Sequence, residues 1–245
     1  MKGIVSNTDV LDDSRNRQKE VGMDKKLLAQ AVIKFVFGII LVGVLVFLPA
    51  GTLGYLQGWV FMGCLFIPIL IMGLVMLFRA PELLRKRLDG KEKEGEQKTV
   101  VLLSGIMFLT GFLLCGLDYR FGWMQLPLWI SITAAVLFLA GYVMYAEVMR
   151  ENAYLSRTIE VQQGQKVIDT GLYGVVRHPM YTATLLLFLM IPLVLGSLID
   201  FAMFFVYPFI IAKRIKNEEA VLEKGLEGYC EYKQRVKYRL IPFVW

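Results

Sequence analysis

Histidine occurs once in the 245 residues, at His178, and cysteine three times, at Cys64, Cys115 and Cys230. A single histidine excludes a His-rich metal centre and a haem held between paired histidines. No C-x-x-C is present, so structural zinc and thiol–disulfide chemistry lack ligands. Two of the cysteines lie in apolar runs, where the residue behaves as a small buried hydrophobe. Charge is scarce as well, at 20% of residues against roughly 25% in soluble domains. It is also unevenly placed: no Asp, Glu, Lys or Arg occurs in the 44 residues 35–78, the 19 of 99–117, the 26 of 121–146, the 22 of 178–199 or the 12 of 201–212. About 18 uncharged, mostly apolar residues suffice to cross a hydrocarbon core of about 30 Å. What is abundant is apolar surface, at 56% of residues. A soluble enzyme, a secreted disulfide scaffold and a disordered chain are thereby excluded, and the chain reads as an all-α, polytopic membrane protein.

The pattern predicts six helical spans, at 28–48, 55–78, 100–118, 127–147, 180–196 and 201–215. Pro49-Ala50-Gly51 and Gly54 mark the first turn. Pro68, Pro192 and Pro208 fall inside spans, where neighbouring helices can re-satisfy the freed carbonyls. With six crossings, 25 of the 27 basic residues fall on one side. Only Arg120 lies opposite, and Lys34 sits within the first span near its basic end. By the excess of Lys and Arg on cytoplasmic segments, both termini are expected in the cytoplasm, with the chain in the cytoplasmic membrane of a prokaryote. Three segments follow: a polar lead-in over 1–26, in which Met23 is an alternative start; membrane helices over 27–139; and a more polar, chemistry-bearing region over 140–245. The mixed-charge connection 79–99 reads as a solvated linker beside an anionic leaflet, and the tail after Glu218 as an amphipathic helical cap.

Polar residues that an anchor would not need gather in two places. One is 169–181, Asp-Thr-Gly-Leu-Tyr-Gly-Val-Val-Arg-His-Pro-Met-Tyr; the other is 213–219, Lys-Arg-Ile-Lys-Asn-Glu-Glu. Thr170-Gly171 is a turn, and Pro179 suits the first turn of a helix, where its missing N–H is not needed. Arg177 and His178 then stand at a helix N-terminus, whose free donors and dipole favour an anion. Arg214 and Glu218 are four apart on one helical face. The bland reading is an i,i+4 ion pair; the functional reading is a cavity lining, since ionisable groups at that depth usually serve one.

Gly171-x-Tyr173-x-x-x-Arg177-His178-Pro179-x-Tyr181, Arg214-x-x-x-Glu218-Glu219-x-x-Leu222, Tyr229-x-x-Tyr232-x-x-x-Val236 and a closing Ile241-Pro242 resemble the isoprenylcysteine carboxyl methyltransferase family, whose wider relatives include phospholipid methyltransferases and membrane sterol reductases. The resemblance covers roughly 140–245. It implies a site for S-adenosylmethionine formed by Gln165, Lys166, Val167, Ile168, Tyr173, His178, Pro179, Met180, Tyr181 and Glu218. It also implies that Arg214 holds the carboxylate of the substrate. Ala183 stands where the family often has Gly, Gln165 where it has His, and Gly225-Leu226-Glu227-Gly228 replaces its Phe-Gly.

The expectation is therefore an S-adenosylmethionine-dependent methyltransferase acting on a lipophilic substrate drawn from the bilayer, first of all the carboxylate of an isoprenylcysteine-like molecule. No metal and no nucleic-acid partner are expected. An NADPH-dependent sterol or lipid reductase, and a non-catalytic lipid-binding protein of the same fold, are the alternatives.

Overall fold

The computed structural model describes residues 25–88, 95–152, 154–155 and 161–245. Residues 1–24 of the lead-in, with Met23, and the acidic residues Asp89, Glu92 and Glu94 of the second connection lie outside the described residues. The helices are α1 (Lys25–Ala50), α2 (Leu56–Arg79), α3 (Pro81–Leu88), α4 (Gly95–Phe121), α5 (Leu128–Glu151), α6 (Pro179–Val194), α7 (Leu198–Phe204), α8 (Tyr207–Gly225) and α9 (Tyr229–Arg235), with a 3-10 turn at Gly171–Gly174. Among the described residues there is no strand, only an isolated bridge between Gln125 and Ser197. The architecture is all-α and polytopic.

Four helices, α1, α2, α4 and α5, are long and apolar enough to cross a membrane. Their outward faces carry Ile33, Phe37, Leu48, Ile67 and Val143 exposed, a surface that suits lipid rather than water. α6 has only 16 residues, about 24 Å at 1.5 Å per residue. The sixth predicted span is not one helix. α7 ends at Phe204, the chain turns through Phe205 and Val206, and Pro208 falls in the first turn of α8. Pro208 has no N–H to continue a helix from α7, and opening a new one is the position it tolerates. The linker expected over 79–99 also contains a helix, α3, whose Leu84 is buried.

Without a hydrophobic drive between helices in lipid, close packing depends on small residues. Gly116 of α4 lies so near α1 that a Cβ there would stand 2.6 Å from the Val46 carbonyl oxygen and 2.9 Å from Pro49 Cβ. One large core of buried Phe61, Phe138, Leu195, Phe204 and Ile215 joins the membrane helices. A second, smaller core, Leu226, Tyr229, Tyr232 and Val236 with Val161, Val167 and Leu222 packed on it, lies in the cap formed by α9 and the segment before α6. At the end of the bundle remote from this cap, Cys115 donates to Asp200 at 2.9 Å, the Met124 N–H to Asp118 at 2.8 Å, and the Tyr55 hydroxyl to the Leu195 carbonyl.

Candidate active site

α6 begins at Pro179 with His178 at the N-cap, as the missing proline N–H allows. The N–H groups of Arg177 and His178 are not free. They donate to the carbonyls of Tyr238 and Arg239, each at 2.9 Å, so the chain after α9 docks along the start of α6. Thr182 reinforces the seam by donating to the Leu240 carbonyl at 2.8 Å.

Glu219 is the knot of this seam. Its Oε1 accepts from Arg177 Nε at 2.8 Å and lies 3.3 Å from His178 Nε2; its Oε2 accepts from Arg239 Nε and Nη2 at 2.9 and 2.8 Å. Arg177 also donates from Nη1 to the Val236 and Lys237 carbonyls at 2.6 and 2.8 Å. Burial by itself would raise the Glu219 pKa, but the hydrogen bonds from His178, Arg239 and Arg177 outweigh it and hold the carboxyl well below the usual carboxylate range.

One residue earlier on α8, about 100° round the helix, Glu218 lines a cavity of about 840 Å³ instead. That volume is within the roughly 300–1,000 Å³ of small-molecule sites. The cavity joins two environments. Deep among the membrane helices its wall is apolar, with Met72 and Met76 of α2, Phe108 of α4, Leu187 and Phe188 of α6 and Ile211 of α8. Toward the cap it is polar and aromatic, with Asn152, Tyr154, the run 165–168, Tyr173, Tyr229 and Tyr232. Where they meet, Arg214 Nε donates to the Tyr181 hydroxyl at 2.8 Å, and that hydroxyl donates to Glu218 Oε2 at 2.6 Å. The i,i+4 pair is thus bridged by a tyrosine from α6.

Gln165, Lys166, Val167, Ile168, Tyr173, His178, Met180, Tyr181, Arg214 and Glu218 all line this cavity. Pro179 does not; it is buried in the first turn of α6. The Tyr173 hydroxyl accepts from Asn152 Nδ2 at 2.8 Å, and burial pushes its pKa up to about 12 against the lowering effect of that bond. The Tyr232 hydroxyl donates to the Tyr173 carbonyl at 2.8 Å. Tyr229 lines the cavity with a buried hydroxyl that has no hydrogen-bond partner, and burial raises its pKa, so it stays a donor. Sequence reading missed Glu219 as a site residue, along with Arg239, Asn152, Tyr229 and Arg87. Glu219 stood inside a quoted motif, but nothing in two adjacent carboxylates tells which faces the cavity. Arg239 belongs to no repeating pattern, and its partner is reached only through the fold.

This arrangement can be compared with known proteins. Residues 129–227 match the phospholipid methyltransferase family. The match runs from α5 to just beyond α8 and contains Arg177-His178-Pro179, Arg214 and Glu218-Glu219; it stops short of α9 and Arg239. It supports a membrane-methyltransferase superfamily fold and does not single out the isoprenylcysteine branch. The chain is also 25% identical over 136 residues to a Delta(14)-sterol reductase of Methylotuvimicrobium alcaliphilum, covering 49% of this chain and 32% of that protein. A Delta(14)-sterol reductase of Mus musculus is 32% identical over 93 residues, covering 36% of this chain and 22% of its own length. The similarity thus spans about a third or less of these curated relatives.

Proposed function

We propose that the chain is an integral-membrane methyltransferase that uses S-adenosylmethionine and acts on a lipophilic acceptor, first of all a carboxylate on an isoprenylcysteine-like molecule. The observation that carries this reading is the Arg214–Tyr181–Glu218 chain at the junction of a polar chamber and an apolar one. The proposal puts the basic end of the bundle, with this chamber and both termini, on the cytoplasmic side.

The residues present fit the cofactor. Glu218 is the one carboxylate among the described residues lining the cavity, and it suits an ammonium group. The unpartnered Tyr229 hydroxyl supplies a donor, and Val167, Leu222 and Leu226 form an apolar slot for a flat base. His178 has Nε2 engaged by Glu219, so Nδ1 is the nitrogen left to meet a carboxylate. When bound, S-adenosylmethionine supplies a methyl group activated by its sulfonium. Arg214 grips the acceptor carboxylate as its planar fork allows. A carboxylate is already ionised at neutral pH, so no general base is required, and the site acts by alignment.

Titration of detergent-purified protein with S-adenosylmethionine and with NADPH tests the reading. S-adenosylmethionine is expected to bind, and Glu218→Gln to weaken it by about tenfold or more, the worth of a charged hydrogen bond. Arg214→Ala is expected to abolish turnover while leaving that affinity intact. The two reductase relatives favour a second reading, an NADPH-dependent sterol or lipid reductase, and binding of NADPH alone would establish it. Binding of neither would leave a lipid-binding protein.

A further inference from the structure

The segment between α2 and α4 sends into the cavity a residue that lies outside the family match and has no part in the roles above. Arg87, in the last turn of α3, lines the cavity with Met76 of α2 and Tyr145 of α5. Its Nη1 donates to the Tyr145 hydroxyl at 3.0 Å, and the guanidinium carbon stands 5.9 Å from the centre of that ring. Its Nη2 is buried and has no hydrogen-bond partner. A buried guanidinium N–H without an acceptor is costly, and such an orphan in a native fold calls for a partner from outside the chain.

No carboxylate among the described residues pairs with it. Glu218 bonds Tyr181, Glu82 lies 3.7 Å from Arg85 on the same short helix, and Glu147 pairs with Arg150. Nor is Arg87 on a loose element. Leu84 is buried, and Lys34 of α1 donates to the carbonyl of Leu88, meeting one of the carbonyls a helix end leaves open. Lys34, the single basic residue inside the first span, therefore pins the helix that carries Arg87.

We infer that Arg87 is a second specificity determinant beside Arg214, receiving an oxyanion, carboxylate or phosphate, borne by the lipophilic acceptor. The inference rests on the reading that the cavity takes a lipophilic acceptor. Tyr145 occupies one edge of the guanidinium and leaves the Nη2 edge for a planar or tetrahedral oxyanion, the geometry arginine grips best. Arg87 lines the cavity with methionines of α2, whereas the residues suited to the cofactor lie in 165–168, at His178 and in 218–229.

Full-length protein in an uncharged detergent would be titrated with a fluorescent fatty acid, a lysophosphatidate of the same chain and the matching fatty alcohol. At least one anion is expected to bind about tenfold more tightly than the alcohol. Preference for the fatty acid alone assigns a carboxylate, and for lysophosphatidate alone a phosphate headgroup. Arg87→Met should lower the preference, with Arg214 keeping the remainder, Arg87→Lys should lower it less, and neither should alter affinity for the alcohol or for S-adenosylmethionine. Equal binding of anions and alcohol to the unaltered protein, or an undiminished preference in Arg87→Met, overturns the inference. So does an equal loss of S-adenosylmethionine affinity, which would assign Arg87 to the cofactor. If the unaltered protein binds no S-adenosylmethionine yet keeps an Arg87-dependent preference, the methyltransferase reading falls and this one stands.

Discussion

Glu218 and Glu219 are neighbours with opposite roles. Glu219 is buried and accepts from Arg177, His178 and Arg239; Glu218 lines the cavity and accepts from Tyr181. Glu219→Gln keeps the shape but strands the buried Arg177 without its counter-charge, and removing one partner of a buried pair costs about 3–5 kcal/mol. A lowered thermal midpoint and faster proteolysis of the tail after α9 are expected, whereas Glu218→Gln should leave both unchanged. Because the folded-state pKa of Glu219 is depressed, its contribution is complete above the ordinary glutamate value of about 4.3. It is lost only as the pH falls through the lower, folded-state value. Thermal midpoints measured from neutral to strongly acid pH should show this loss in the parent and lack it in Glu219→Gln.

Among the elements, the long apolar runs are the most legible, because a span announces itself by lacking charge. α1, α2, α4 and α5 fall where the charge-free runs place them. Composition does not reveal where a run is divided: Phe205-Val206 are as apolar as their neighbours, and the break before Pro208 depends on where the preceding helix stops. It also hid α3, whose Leu84 and Arg87 turn inward among exposed charges. For the candidate site, the local motif readily flagged Arg214, Tyr181 and Glu218, while Arg239 and Arg87 enter through tertiary contacts that leave no local pattern. Helix crossings are hidden for the same reason, since a glycine in an apolar helix is ambiguous until its neighbour is known. Gly116→Ala puts a methyl 2.6 Å from the Val46 carbonyl oxygen, a backbone atom that yields only if α1 and α4 separate. A loss of about 1–3 kcal/mol, typical of overpacking, is expected in thermal unfolding. Gly105→Ala in the same α4, with open space around it, should be neutral.

For the molecule as a whole, the polar cap and the apolar bundle meet at the cavity, and the proposed use of S-adenosylmethionine requires that end to face the compartment supplying it. Basic residues crowd this end, and Arg120 is the lone one expected opposite, so the charge distribution and the site argue for the same orientation. The cysteines provide a direct test: Cys115 is buried and Cys64 half-buried, while Cys230 is exposed on α9, within the cap. A membrane-impermeant maleimide should therefore label Cys230 in inverted vesicles and leave it unlabelled in intact cells. For the opposite end, Trp123, exposed in the turn after α4, would be changed to cysteine in a Cys230→Ser background. That variant should react in intact cells. Labelling of Cys230 from outside would invert the bundle and carry the cavity to the side away from cytoplasmic S-adenosylmethionine. The methyltransferase reading would then lose its cofactor supply even with every side chain in place.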